Sequence, residues 1–213
     1  MSGDGTANDP LVIRHLSFLG GMAVTGGWRP DQQLPEIAVA GRSNVGKSSL
    51  LNTLVRRKAF ARVSRTPGRT QEVNFFEVNQ AFIIVDLPGY GFAKVSRDKR
   101  HAWRGLMDAY LRNTTQLRGV LALLDARREP SEDDLDMLEY LAEMEIPTLV
   151  AVTKIDKLGT AARREALAMI ARTTGLDADQ VVASSAHTGE GRTEIAEAVM
   201  SLLDAPAWRE PTP

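Results

Sequence analysis

The chain has 213 residues, 43% hydrophobic and 25% charged, which suits one globular domain and excludes wholesale disorder. It has no cysteine, so disulfides, thiolate catalysis and cysteine-bound zinc or iron–sulfur centres are excluded, and its three histidines (15, 101, 187) are too scattered for a metal cluster. The net charge of −1, taken as one number, argues against a strongly basic nucleic-acid binder.

Residues 1–10 are small and polar, and they open an N-terminal arm, 1–33, expected to be partly disordered. Leu11–Val24 is partly apolar but broken by Gly20 and Gly21, and reads as a strand or arm. Gly26–Pro35 is a loop with Pro30 and Pro35 as breakers. A repeating pattern then begins and defines a main domain over 34–205. Ile37–Ala40 is a short apolar strand. Lys47–Val55 has helical spacing, with Leu50, Leu51 and Leu54 on one face. Residues 60–71 read as a basic loop. Val73–Val78 and Ala81–Val85 are two strands joined by the turn residues Asn79 and Gln80. Ser96–Leu111 is a basic helix and Val120–Leu124 a buried strand. Ser131–Met144 is an acidic amphipathic helix with Ser131 as N-cap and Leu135, Leu138 and Leu141 inward. Pro147–Val152 is a strand, Ala161–Ala171 a helix, Val181–Val182 a strand and Thr193–Leu203 the last helix. A proline-containing tail, 206–213, closes the chain and is expected to fray.

Strands alternating with helices after an initial hairpin predict a three-layer α/β/α fold. Its sheet is mostly parallel, with six to seven strands and one antiparallel edge strand. Ligands of such sheets bind at the carboxyl ends of the strands. No stretch is long and apolar enough for a transmembrane helix, and the opening residues lack the pattern of a signal peptide. The expected location is therefore the cytoplasm.

The average charge hides a polarity. Residues 56–104 carry eleven basic against four acidic side chains, and residues 129–145 carry eight acidic and no basic ones. The acidic helix is expected to sit away from the basic segment.

Gly41-Arg42-Ser43-Asn44-Val45-Gly46-Lys47-Ser48, followed by Ser49, fits G-x-x-x-x-G-K-[ST] at every fixed position. The glycines let backbone N–H groups wrap phosphate oxygens, Lys47 carries a charge to the β- and γ-phosphates, and Ser48 offers a hydroxyl to Mg²⁺. The positive end of the following helix points at the same phosphates. About forty residues on, Asp86-Leu87-Pro88-Gly89 closes an apolar strand. Asp86 can hold Mg²⁺ through a water, and the Gly89 N–H can meet a γ-phosphate. Between these lies Arg65-Thr66-Pro67-Gly68-Arg69-Thr70, where a threonine hydroxyl on Mg²⁺ would make the loop nucleotide-sensitive. Thr70 is the first choice and Thr66 its competitor.

Thr153-Lys154-Ile155-Asp156 follows a strand. A carboxylate such as Asp156 accepts two hydrogen bonds from guanine N1–H and N2–H₂, and adenine has neither donor. The Lys154 stem can cover one face of the base. Ser184-Ser185-Ala186 follows another strand, where a backbone N–H near Ala186 could donate to guanine O6. In order with the three motifs before it in the chain, Thr153–Asp156 selects GTP over ATP.

GRSNVGKSSLLNTL, RTPGRTQEVNFFEV and VDLPGYGFAKV together resemble the EngB (YihA/YsxC) family of ribosome-biogenesis GTPases, within the Ras-like translational GTPases of the TrmE–Era type. The resemblance implies a P-loop fold binding GTP or GDP with Mg²⁺, and a role in assembly of the large ribosomal subunit with an effect on cell division. It implies ribosomal RNA and proteins as partners, no DNA or membrane partner, and a monomer. The binding roles pass to Gly41–Ser48, Thr70, Asp86–Gly89, Thr153–Asp156 and Ser184–Ala186, with Ser48, Thr70 and Asp86 on the metal. Lys47, Thr70, Gly89 and Asn44 are the residues expected to serve catalysis. Thr153 replaces the asparagine of most GTPases, which removes one amide contact. Tyr90 stands where Ras-like enzymes place a water-orienting glutamine, so slow intrinsic hydrolysis is expected, on the order of 10⁻³ s⁻¹ or below. Asn44 matches an asparagine that ligates K⁺ in related potassium-activated GTPases; the alternative is that it only shapes the loop. Two other readings of the motifs are a protein-interaction module relying on the acidic helix and an exposed Trp208, and a P-loop ATPase or kinase.

Overall fold

A computed structural model of the chain describes residues 9–31, 33–56, 72–91 and 97–209. Among these, seven strands form one sheet in the order β1-β3-β4-β2-β5-β6-β7. The strands are β1 (Leu16–Met22), β2 (Glu36–Gly41), β3 (Val73–Val78), β4 (Phe82–Asp86), β5 (Leu117–Asp125), β6 (Thr148–Thr153) and β7 (Val181–Ala183). The helices are α1 (Lys47–Leu54), α2 (Arg97–Asn113), α3 (Glu132–Glu143), α4 (Thr160–Thr174) and α5 (Arg192–Asp204). β4, β2, β5, β6 and β7 are parallel, and β3 runs antiparallel to both β1 and β4. The reversed strand lies one place in from the edge, because the N-terminal arm supplies β1 outside it.

Side-chain alternation along the strands builds a core on each face. Ile37 and Val39 of β2, with Leu121 and Leu123 of β5, pack against α1 and α5. Their neighbours Ala38 and Ala40 pack against α2 and α3 on the other face, where Ala122 and Leu124 continue toward α4. Leu50, Leu51 and Leu54 of α1 are all buried, as the helical spacing requires. Phe75 and Phe76 are core residues, on opposite faces of the sheet.

Local chemistry sets the element ends. Ser131 caps α3 in a capping box with Asp134, and α4 stops at Gly175, whose φ of 69° is left-handed. Asn79 and Gln80, both at positive φ, make the tight β3–β4 turn. The Asn79 side chain also accepts from the Arg14 and His15 N–H groups at 2.8 and 3.0 Å and donates to the Val12 carbonyl at 2.8 Å, which fastens the arm before β1. Glu36, 2% exposed at the start of β2, accepts from Tyr110 Oη at 2.8 Å and Thr114 Oγ1 at 3.0 Å. Burial, and then the Glu36 charge, push the Tyr110 hydroxyl well above its ordinary pKa, so it remains a donor.

Three expectations change. The acidic helix does not sit apart from the basic segment: α3 lies beside α2. Tyr140 Oη donates to the Asp108 carboxylate, Arg104 approaches Asp136 at 3.7 Å, and Leu106 and Met107 share a core with Met137 and Leu141. The crossovers β4–α2–β5 and β5–α3–β6 fall on the same face of a parallel sheet, which makes their helices neighbours. Leu141 of α3 is buried and Leu138 packs against the core beside α4, as expected, but Met137 is the other buried apolar residue and Leu135 is only partly buried. Trp208 is not an exposed anchor. Its indole packs at the edge of the α2–α3 core and donates to the Met144 carbonyl at 2.8 Å, while the Trp208 N–H reaches the Leu117 carbonyl at 3.2 Å. No helix among the described residues is long and apolar enough to cross a membrane.

Candidate functional site

The parallel strands end together. Val39 is in register with Asp86, Gly41 with Leu123, Asp125 with Thr153, and Val152 with Ala183. Every loop singled out by the motifs and lying within the described residues therefore leaves the carboxyl ends of the parallel strands, where such sheets take their ligands.

The phosphate loop turns from β2 into α1 through Asn44 at φ 66° and Gly46 at φ 110°, both left-handed. Gly46 stands at the N-cap of α1 without a capping side chain, so the first-turn N–H groups of the helix stay available. Lys47 Nζ donates to the Asp86 carboxylate and to the Leu87 carbonyl. Both side chains are largely buried, so this pair places a cation and an anion where a phosphate and its counter-ion would meet them. A backbone bond from Ser43 N to the Tyr90 carbonyl (2.8 Å) draws the loop after Asp86 against the phosphate loop. A Cβ on Gly89 would come within 3.2 Å of Ser43 Oγ, so this approach suits glycine. Ser43 Oγ is itself buried and has no hydrogen-bond partner among the described residues.

Tyr90 is buried. Its ring stands edge-on to Trp103 at 5.8 Å, and Trp103 Nε1 donates to the Pro88 carbonyl at 3.0 Å. Burial, and then Asp134, raise the Tyr90 pKa well above its ordinary value. A packed, protonated phenol offers no amide to orient a water.

Thr153 is buried, and its hydroxyl lies 2.7 Å from the Val45 carbonyl and 3.1 Å from that of Leu124. The hydroxyl thus joins the phosphate loop to the end of β5, a bridge the loss of an asparagine amide did not foreshadow. Lys154 adopts a left-handed φ of 62° and donates to the Asn44 carbonyl at 2.6 Å and to Asp125 Oδ2 at 2.7 Å. Asp156 receives a hydrogen bond from Ser185 Oγ at 2.7 Å and an ion pair from Lys157 at 3.0 Å. These hydrogen bonds, Ser185 first, hold its carboxyl below the ordinary pKa and keep it an acceptor. Ser185 Oγ accepts from the His187 and Thr188 N–H groups at 3.2 and 3.1 Å, which aims its own hydrogen at Asp156. The turn behind it requires Gly191: at φ 76°, a Cβ there would fall 2.0 Å from the Ala183 carbonyl. Ile155 N donates to the Ser184 carbonyl at 3.2 Å, and Thr53 Oγ1 reaches the Ala186 carbonyl at 3.2 Å, so both base-side loops are tied to each other and to α1.

The structure therefore gathers the phosphate loop, Asp86–Gly89, Thr153–Asp156 and Ser184–Ala186 on one edge. Thr66, Pro67, Gly68, Arg69 and Thr70 lie outside the described residues, as does Phe92. Sequence reasoning missed Thr53 and Asp125; the position of Asp125 at the end of a strand was the signal available. Asp125, Arg127, Arg128, Arg42 and Asn44 border a cleft of about 370 Å³ beside the phosphate loop. Among the described residues no three His, Cys, Asp or Glu side chains cluster as a metal site. Ser48 and Asp86 nonetheless fit a Mg²⁺ that takes most of its ligands from nucleotide oxygens and water.

Residues 36–154 match the sequence model of a family described as 50S ribosome-binding GTPase. The chain is 56% identical over 199 residues to a probable GTP-binding protein EngB of Gemmatimonas aurantiaca, covering 93% of this chain and 98% of that protein. It is 47% identical over 185 residues to a probable GTP-binding protein EngB of Syntrophotalea carbinolica, covering 87% and 89%. A crystal structure of a probable GTP-binding protein engB superposes with a TM-score of 0.69 at 23% identity, covering 79% of this chain and 98% of that one, a likeness of fold.

Proposed function

The chain belongs to the EngB family of GTP-binding proteins with a GTPase domain, and from that membership we propose that it is a slow GTP-hydrolysing switch whose GTP form assists assembly of the bacterial large ribosomal subunit, and through it cell division, in the cytoplasm. The observation that carries this reading is the convergence of Lys47, Asp86, Lys154 and Asp156 on one sheet edge, ordered as guanine recognition needs. The ribosomal part rests on the matching family's description as 50S ribosome-binding.

In this reading, Gly41–Ser49 wrap the phosphates with backbone N–H groups and Lys47 neutralises the β- and γ-phosphates. The Gly89 N–H meets the γ-phosphate. Ser48, Asp86 and Thr70 would hold Mg²⁺, and Pro67, Gly68 and Arg69 belong to the same sequence motif as Thr70. When bound, the metal would supply positive charge that offsets the negative charge of the phosphates. Asp156 reads the guanine edge and Ser184–Ala186 close around O6. Tyr90 supplies no water-orienting amide, so turnover stays on the order of 10⁻³ s⁻¹ or below without a partner.

Single-turnover GTP hydrolysis with and without large subunits tests the switch. Stimulation by subunits, with salt-sensitive pelleting that depends on bound GTP, is the expected result. Pelleting independent of both nucleotide and salt would overturn it. Asn44, held left-handed in the phosphate loop, could help hold K⁺, whose charge would assist hydrolysis there. Turnover in K⁺ should then exceed that in Na⁺ severalfold, and equal rates would leave Asn44 a loop-shaping residue.

A further inference from the structure

Lys154 faces a conformational problem. Its stem has four rotatable bonds, and freezing so flexible a side chain costs rotamer entropy. Its backbone sits in the left-handed region that non-glycine residues seldom enter. A lysine expected to lie flat on a base must be held before the ligand arrives, or the holding is charged against affinity.

Two acceptors do the holding. One is the Asn44 carbonyl of the phosphate loop at 2.6 Å, and the other is Asp125 Oδ2 at 2.7 Å. The stem runs past Gly46, where an added Cβ would sit 3.7 Å from Lys154 Cε. Asp125 is rigid in turn. Arg127 Nε and Nη2 grip its two oxygens at 2.9 and 2.8 Å, and the Arg127 backbone N–H adds a third bond at 3.1 Å. Burial alone would raise the Asp125 pKa, but the bonds from Arg127 and Lys154 outweigh it and hold this carboxyl well below the usual carboxylate range. The strand register places Asp125 beside Thr153, so it reaches Lys154 from the neighbouring strand end and not along the chain.

We infer that Asp125 is a positioning residue for bound guanine nucleotide, acting through Lys154: it stretches the lysine stem across the place of the base, and Arg127 fixes it from outside. The inference rests on the guanine-nucleotide reading of this site. It predicts a contribution that is blind to the base edge, because a lysine stem covers the ring face while Asp156 reads the edge. It also predicts that the contribution vanishes when Lys154 cannot answer.

The test is the release rate of GDP and of IDP, each carrying an N-methylanthraniloyl label, from the full chain and its variants. Asp125→Ala should speed GDP release about tenfold, the scale of one hydrogen bond to a charged group. Asp125→Asn keeps an acceptor and should speed it about threefold. The ratio of GDP to IDP release should stay at the wild-type value in both. Lys154→Met should speed release at least as much as Asp125→Ala, and the Asp125→Ala/Lys154→Met pair should release no faster than Lys154→Met alone. Wild-type release rates in both Asp125 variants, a changed GDP-to-IDP ratio, or effects that multiply in the double variant would each overturn the inference. A wild-type chain that binds no guanine nucleotide would overturn the reading of the site instead, so the two failures are distinguishable. If Asp125→Ala does not fold, Asp125→Asn alone and paired with Lys154→Met carries the same cycle.

Discussion

An Asp156→Asn chain is expected to bind xanthine nucleotides in preference to guanine nucleotides, the ratio moving by about two to four orders of magnitude. Ionised Asp156 presents two acceptors to guanine N1–H and N2–H₂. An amide keeps one acceptor and presents a donor in place of the other, which opposes the guanine amino group and suits the carbonyl of xanthine. Ser185 decides which way the amide turns. Its hydroxyl is aimed at Asp156 Oδ1 by the two N–H groups bonding its oxygen, so the amide oxygen should take that place and the nitrogen should face the ligand. Lys157, half exposed, can swing into water when its partner is lost. Competition of GDP and XDP against a labelled nucleotide measures the ratio. Retained guanine preference would mean that another group reads the base edge.

Replacing Arg192 by alanine is expected to cost about 3–5 kcal/mol of folding stability, the range for breaking one partner out of a buried ion pair. Arg192 opens α5 with a side chain only 9% exposed, and its guanidinium joins three segments. It donates to Thr53 and Leu54 carbonyls at 3.2 and 3.0 Å, at the end of α1, to the Leu11 carbonyl at 3.1 Å and to Asp9 Oδ1 at 2.7 Å. α1 has no basic residue in its own last turn, so Arg192 supplies the cation that its carbonyl end favours. Alanine would leave these carbonyls underpaired and Asp9 with the Leu11 N–H at 3.1 Å and Arg56 at 3.2 Å. Urea unfolding monitored by circular dichroism measures the loss, and a change within 1 kcal/mol would refute the hub.

The pH dependence has a definite sign. Burial would raise the Asp9 pKa, but the bonds from Arg192 and the Leu11 N–H outweigh it, and the folded value is lowered. The stabilisation is therefore complete above the unfolded value of about 4 and is lost as pH falls through the lower folded value. Arg192→Ala should show a correspondingly flatter acid limb.

Much of the site was legible because nucleotide chemistry constrains residue types at fixed spacing. Lys47, Asp86 and Asp156 could be placed from strings of four to eight residues, since each motif lies on one turn at one strand end. The apolar runs Ile37–Ala40 and Val120–Leu124 likewise read as buried strands of the sheet. The network holding Lys154 was not legible, because Asp125 reaches it across neighbouring strands of the sheet, 29 positions away in the chain. Arg192 and Asp9 meet across 183 positions, and neither belongs to a pattern.

By itself the sequence determined that a phosphate loop and a guanine edge are present, because backbone conformation and donor–acceptor matching act over a few residues. Tertiary structure alone decided what keeps those parts in place. The Thr153 hydroxyl bridges Val45 and Leu124, the Asp125 carboxylate spans two strand ends, and α2 and α3 lie side by side although the acidic helix was expected away from the basic segment. Covering one face of a parallel sheet sets helix neighbours by handedness and apolar area, and exposed charges, worth little in water, follow where that packing puts them.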